Sequence, residues 1–241
     1  YMNRGIREGY SGVCVYHYSN DQNVVEEKVF IPSTESYEFL KKDLGTLSYV
    51  STDNSLFLLF AQKLYQIHIT DGKSEVLDQD IQTDAFTVSD TGAHAAWLIQ
   101  SGESAGYIKE IDFETLETRT LAPSSGQKLT LNGFMNEDLV YGIVVDGDII
   151  SDSNGHETTG IHTIRIEGFD GTVKKEYHQD GLYITDVTMG NTMMEFELSK
   201  KTKKGYEAVS KDNILNNVKA AASIASIELA SNNRTGDRKS V

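Results

Sequence analysis

Residues 88–121 read VSDTGAHAAWLIQSGESAGYIKEIDFETLETRTL and contain one complete structural unit. The unit starts with a polar turn at Asp90, which is followed by an apolar run. A glycine-containing turn then leads into a segment of alternating apolar and polar side chains, and a second turn leads into a threonine-rich segment. Alternation with a period of two residues is typical of β-strands joined by tight turns. We therefore predict an antiparallel meander for this unit.

The same order of segments occurs elsewhere in the chain. It is found at residues 51–77 and 135–177, with a weaker copy at 188–215. The turns that precede the long apolar strands fall at Asp53, Asp90, Glu137 and Gly190, which are 37, 47 and 53 residues apart. Propeller blades have four strands in roughly 40 to 50 residues. The predicted fold is thus an all-β propeller of about five four-stranded antiparallel blades, or a segment of a larger propeller. A β-sandwich is the alternative, but it has no repeat of this kind.

The spacing also predicts the domain organisation. Blades are expected over 1–215, as a half blade at 1–34 and blades at about 46–80, 84–123, 128–178 and 182–215, with a possible last strand and a polar tail at 216–241. The short apolar run before each turn, such as LSYVS at 47–51, is expected to be the innermost strand and to be buried on both faces. One helix is predicted, because Tyr37, Leu40 and Leu44 share a helical face and Gly45 stands where a C-cap would be.

These units resemble the repeats of TolB-like and WD40-like β-propellers. In those repeats a strand-turn-strand of the form sPDGkxiaf precedes a strand-turn of the form lyxidletg, and VSDTGAHAAWLI followed by YIKEIDFETLETRTL is similar to that pattern. The chain departs from it, since no proline precedes Asp90 and no Trp-Asp dipeptide occurs. The resemblance covers about residues 46–210 and implies the propeller architecture without assigning a binding site.

Composition excludes several classes of protein. With 36 acidic and 22 basic residues, the chain has a formal charge of −14, which repels phosphate backbones and argues against a nucleic-acid partner. A single cysteine, Cys14, rules out an intrachain disulfide framework. No stretch approaches the roughly 18 consecutive apolar residues of a membrane helix, so we expect no membrane insertion.

One catalytic motif occurs. Gly102-Glu103-Ser104-Ala105-Gly106 matches G-x-S-x-G, the nucleophile elbow of serine esterases, and it makes Ser104 a candidate nucleophile. The elbow requires a helix after the serine, whereas the residues that follow alternate like a strand. We therefore predict no catalytic residue and interpret the motif as a hairpin turn, with a serine hydrolase as the alternative function.

A second motif concerns calcium. The acidic loop DGDIISDSNGHE at 146–157 holds the candidate ligands Asp146, Asp148, Asp152, Asn154 and Glu157. Ile150 and Ser151 stand where an EF-hand loop has a ligand and its glycine, so an EF-hand is not expected. A looser Ca²⁺ site in a calcium-stabilised module stays open as the second alternative; otherwise no metal or cofactor is predicted.

The predicted function is that of a non-catalytic propeller domain that serves as a scaffold for a protein or glycan partner. The first residues read as one arm of a hairpin entered midway, so we expect a piece of a longer polypeptide. Together with this, the resemblance to TolB-like propellers implies a larger, bacterial envelope-associated protein. An extracytoplasmic or cell-surface location follows from that expectation, while a cytoplasmic location stays open. The only basic cluster, at 200–204, is expected to be a solvated hairpin turn.

Overall fold

The computed structural model describes residues 2–7, 10–101, 104–151, 157–190 and 192–216. The predicted tail at 216–241 lies outside the described residues from residue 217 onward. Antiparallel strands dominate the described part of the chain, as predicted. They belong to two compact units, one that runs up to Thr83 and one that starts at Asp84.

The first unit contains two sheets and a helix. Its strands are β1 (Met2–Arg7), β2 (Tyr10–Ser19), β3 (Val24–Pro32), β4 (Ser48–Val50), β5 (Ser55–Phe60), β6 (Lys63–His68) and β7 (Ser74–Gln79). Sheet 1 has the order β1-β2-β3, and sheet 2 has the order β4-β5-β6-β7. Each strand of sheet 2 pairs with its neighbour in the chain, as in a propeller blade.

The predicted helix is present as α1 (Tyr37–Thr46). Leu40 and Leu44, one turn apart, are buried in the core that sheets 1 and 2 share. The predicted C-cap is wrong, because Gly45 lies inside the helix and the cap is Leu47 in an extended conformation. Leu47 is 2% exposed, so burial of an apolar side chain at the start of the next strand ends the helix there.

The second unit contains three larger sheets and a short ribbon. Its strands are β8 (Phe86–Val88), β9 (His94–Ser101), β10 (Ser104–Asp112), β11 (Thr118–Leu121), β12 (Gln127–Met135), β13 (Asp138–Val145), β14 (Ile149–Ser151), β15 (Glu157–Thr159), β16 (Thr163–Glu167), β17 (Val173–Tyr177), β18 (Tyr183–Met189), β19 (Met193–Thr202) and β20 (Gly205–Leu215). Sheet 3 is β8-β9-β10-β11, sheet 4 is β12-β13-β16-β17, and sheet 5 is β18-β19-β20. The ribbon is β14-β15, and it is inserted between the two central strands of sheet 4.

This topology is that of an all-β propeller. Sheets 2, 3 and 4 are four-stranded antiparallel meanders, which is the architecture of propeller blades. Within the second unit, sheets 3 and 4 share one buried cluster that includes Ile108 and Tyr141. Sheets 4 and 5 share another that includes Val140 and Phe196. Three sheets are therefore packed in succession, whereas a sandwich has two.

The prediction that the strand before the turn is buried on both faces is wrong for sheet 2. The first strand of sheet 2, β4, is only partly buried, whereas all six residues of the second strand, β5, are buried. The reason is the order of the strands, since the first strand lies at the edge of its sheet and the second has a neighbour on each side.

The helix in the described part of the chain is too short and too polar to be a candidate membrane span.

Candidate functional site

Ser104 lies at the first position of β10 and pairs with Ser101 of β9 in an antiparallel hairpin. The register shifts between Ser104 and Tyr107, which marks an irregularity in the ladder. A nucleophile elbow leads from a strand into a helix, but Ser104 begins a strand that continues to Asp112. Gly102 and Glu103 lie outside the described residues. The described backbone at Ser104 is that of a β-hairpin.

The candidate calcium ligands are only partly described. Asp152 and Asn154 lie outside the described residues, whereas Asp146 and Glu157 are exposed. Asp148 is 8% exposed, and its carboxylate is already engaged by an ammonium group. Within the described ranges, no group of three or more histidine, cysteine or acidic side chains could hold a metal ion. The calcium-stabilised module is therefore the second alternative that the calcium titration in the Discussion tests.

A different role for Asp148 emerges from the structure. Lys201, on β19 of sheet 5, donates from Nζ to Oδ1 of Asp148 at 2.7 Å and also to the carbonyl of Gly147. Tyr206, on β20, donates its hydroxyl to the main-chain carbonyl of Asp148 at 2.8 Å. The same carbonyl accepts the N–H of Gly160 at 2.8 Å. Sheet 5 therefore holds the start of the ribbon, and the bond from Gly160 to Asp148 closes the base of the ribbon.

Aromatic contacts complete this arrangement. The rings of Tyr183 and Tyr206 meet at a tilt of 60°, with their centroids 5.4 Å apart. The ammonium of Lys201 lies 6.0 Å from the centroid of the Tyr183 ring, in the range of a cation–π contact. We call Asp148, Tyr183, Lys201 and Tyr206 the hairpin anchor.

Two glycines allow the anchor to form. Gly147 has φ of +90°, a conformation that residues with a side chain rarely adopt, and it turns the chain into the ribbon. A Cβ at Gly160 would clash with the hydroxyl oxygen of Tyr206, so only glycine lets that tyrosine reach the Asp148 carbonyl.

The Tyr206 hydroxyl of the anchor is a hydrogen-bond donor whose surroundings favour its protonated form. Burial raises the pKa of the Tyr206 hydroxyl to about 12, and the Asp148 carboxylate acts in the same direction. The hydroxyl is thus protonated near neutral pH and is able to donate. The Lys201 side chain is 34% exposed and that of Asp148 is 11% exposed, so the pair is screened by solvent only in part.

The anchor holds a small polar surface in place. The ribbon pairs Ile149 with Thr159 and Ser151 with Glu157, and among these Ser151 and Glu157 are exposed, as is Thr158. A two-stranded ribbon alone is marginally stable in water, so its position depends on the anchor. The arrangement leaves polar side chains of the anchored ribbon exposed to solvent.

The ion pair of Lys201 with Asp148 was not predicted from the sequence. The basic cluster was expected to be solvated, and Lys203 and Lys204 are indeed exposed in a turn. Lys201 instead pairs with a residue 53 positions earlier. The local pattern holds no signal for this pair, because both residues lie in runs of like charge that are typical of surface loops.

No protein-family model and no curated protein sequence matches the chain.

Solved structures are similar to it at low sequence identity. TolB from Acinetobacter baumannii is 14% identical over 90% of this chain and 51% of its own, with a TM-score of 0.36. Oligogalacturonate lyase from Vibrio parahaemolyticus is 12% identical over 86% of this chain and 60% of its own, with a TM-score of 0.38. An acylaminoacyl peptidase from Pyrococcus horikoshii is 8% identical over 87% of this chain and 32% of its own, with a TM-score of 0.33.

The chain thus resembles a TolB structure as well as the TolB-like repeat pattern. It spans between one half and two thirds of the length of the first two of these proteins. The propeller assignment rests on the order and register of the chain's own sheets.

Proposed function

We propose that this chain is a non-catalytic β-propeller domain that binds a protein partner through the ribbon β14-β15. The single observation that carries the proposal is the hairpin anchor. Lys201 and Tyr206, from one sheet, donate three hydrogen bonds to the start of a hairpin that belongs to another sheet. A hairpin held in this way loses little conformational freedom on binding, which favours affinity.

A protein partner is favoured over a glycan because the rings of Tyr183 and Tyr206 already contact other side chains of this chain. Sugars stack on free aromatic faces, but Lys201 lies over the Tyr183 ring, and the Tyr206 ring is tilted against it. The hydroxyl of Tyr206 is occupied by the Asp148 carbonyl. The ribbon offers a short strand pair with exposed polar side chains, which suits a protein surface.

Charge indicates the kind of protein surface. The chain carries a formal charge of −14, and Glu157 on the ribbon is exposed. A basic partner would be attracted at long range and a nucleic acid would be repelled. We infer a partner with a positively charged face, whose association slows as the salt concentration rises.

The biological setting is proposed from the TolB-like resemblance of the repeats. The resemblance supports a larger, envelope-associated bacterial protein with an extracytoplasmic location. The absence of catalysis is supported by the hairpin backbone at Ser104, because the strand that follows supplies no helix N-terminus to stabilise an oxyanion.

The proposal is tested by site-specific photo-cross-linking in bacteria that produce the full-length protein. A photoreactive residue replaces Thr158 on β15 or, as the control, Lys175 on β17, both of which are exposed. We expect one cross-linked protein that depends on the Thr158 position and disappears when Lys201→Met is added.

Three outcomes would contradict the proposal. Equal cross-linking from both positions would show that the ribbon is not a specific contact. Binding of the purified chain to a glycan array that is lost in Lys201→Met would assign the surface to a glycan. A Thr158 cross-link that persists in Lys201→Met would show that the interaction does not depend on the anchor.

A further inference from the structure

Glu110 on β10 is a buried acidic residue that the proposed function does not use. It is 0% exposed, and β9 places Ala96 opposite it. Its Oε2 accepts from Nε of Arg119 on β11 at 2.5 Å. Its Oε1 is buried and has no hydrogen-bond partner among the described residues. A buried carboxylate with one oxygen unpartnered is costly in its charged form.

Arg119 donates hydrogen bonds to two carboxylates, those of Glu110 and Glu167. Its Nη1 donates to Oε1 of Glu167 at 2.7 Å, and Glu167 lies on β16 of sheet 4. The guanidinium also lies over the ring of Phe169, 5.7 Å from its centroid. One positive charge thus links sheet 3 to sheet 4 while it is shared between acidic groups on both sheets.

The other charged groups increase the excess of negative charge. The groups that face the Glu110 carboxyl are Arg119 from β11, Asp138 from β13 and Glu167 from β16. Tyr141, also on β13, donates its hydroxyl to Oε2 of Glu167 at 2.6 Å, so each oxygen of that carboxylate accepts a hydrogen bond. With all three acids ionised, the single guanidinium is outnumbered.

We propose that Glu110, Arg119 and Glu167 form a proton-controlled lock between sheets 3 and 4. When Glu110 binds a proton from solvent, it becomes neutral, and the guanidinium is left to Glu167, which holds the two sheets together. When Glu110 releases the proton, two carboxylates compete for Arg119 and repel each other, which loosens the contact between the sheets. We call these three residues the carboxylate lock.

The titration range of the lock fits this role. Burial raises the pKa of Glu110 to about 7, because the loss of hydration outweighs the attraction of a guanidinium that is already shared. Asp138 and Glu167 act in the same direction as burial. The lock is therefore closed in mildly acidic solution and loosened in mildly alkaline solution.

The experiment combines a titration with amide exchange on the 241-residue chain. Carbon-detected NMR of labelled glutamate carboxyls should show one group with a midpoint near 7, and this group should be missing in Glu110→Gln. Amides of β11 and β16, corrected for intrinsic exchange, should be about tenfold less protected at pH 8.5 than at pH 6 in the parent chain. In Glu110→Gln the protection should be independent of pH.

The matched control is Glu117→Gln, which removes an exposed carboxylate two residues from Arg119 and should behave like the parent chain. If Glu110→Gln does not fold, Tyr141→Phe serves instead. Loss of its hydroxyl makes Glu167 a stronger competitor for Arg119, so the Glu110 midpoint should rise. A Glu110 midpoint near 4.5, an unchanged midpoint in Tyr141→Phe, or the same pH response in Glu110→Gln would overturn the proposal.

Discussion

Lys201 and Asp148 form an ion pair at 2.7 Å across 53 residues of chain, and this pair fixes the ribbon β14-β15 to the neighbouring sheet. Tyr206 adds a hydrogen bond to the carbonyl of the same aspartate. The position of the ribbon is therefore set by sheet 5. A substitution that breaks this contact should lower the free energy of unfolding and weaken binding of the partner.

Gly160→Ala should damage the anchor. The added methyl group would clash with the Tyr206 hydroxyl oxygen, so the tyrosine must move and its bond to the Asp148 carbonyl is lost. We expect a loss of about 1–3 kcal/mol in the free energy of unfolding, measured by denaturant titration. Gly45→Ala is the control, because a methyl group there meets nothing within 4 Å and lies in a helix. It should raise stability by about 0.5–1 kcal/mol.

Calcium should not stabilise the chain. The Asp148 carboxylate, which a calcium site in the loop would need, accepts a hydrogen bond from Lys201. We expect the same melting temperature in about 5 mM Ca²⁺ and in EDTA, whereas specific binding would raise it with increasing calcium concentration. A calcium-dependent rise in melting temperature that is abolished by Asp146→Asn would instead show that the loop binds calcium, as in the calcium-stabilised module.

A fluorophosphonate probe should not label Ser104. The serine begins a strand in an antiparallel hairpin, so the geometry that activates a nucleophile elbow does not follow it. Labelling is followed by mass spectrometry of the intact chain, with a known serine esterase as the positive control. Labelling of the parent chain that vanishes in Ser104→Ala would establish the hydrolase alternative.

Stability should fall between pH 5.5 and pH 8 because of Glu110. Its pKa is about 7 in the folded chain against 4.5 ordinarily, so the folded state binds more protons in this interval. The contribution of Glu110 is fully present below pH 4.5 and is lost as the pH rises through 7. The loss is on the order of 2–3 kcal/mol. Denaturant titrations should show this slope in the parent chain and a flatter one in Glu110→Gln.

Much of the fold could be predicted from local pattern. The alternating segment of the unit at 88–121 lies in β10, and the spacing of Leu40 and Leu44 correctly indicated α1. These features depend on residues close together in the chain, where periodicity reports which face is buried. The end of α1 could not be predicted in the same way, since it depends on the burial of Leu47 in tertiary structure.

The pairs that form the anchor and the lock could not be predicted. Glu110 lies in the alternating segment YIKEID, where a charged residue is expected on the solvent face, yet it is fully buried, as is Ile108. Its environment depends on Arg119 and Glu167, and the latter lies 48 residues beyond Arg119 on another sheet. Periodicity fixes which residues share a face, but it does not say which faces of distant segments meet.

The affinity of the purified partner for anchor variants tests the central claim most directly. Isothermal titration should give about tenfold weaker binding for Lys201→Met, because the ribbon loses its attachment and must be ordered on binding. Lys203→Met, which removes an exposed lysine of the adjacent turn, should bind like the parent chain. Equal affinities for the parent chain and both variants would contradict the proposal that the anchored ribbon is the binding surface.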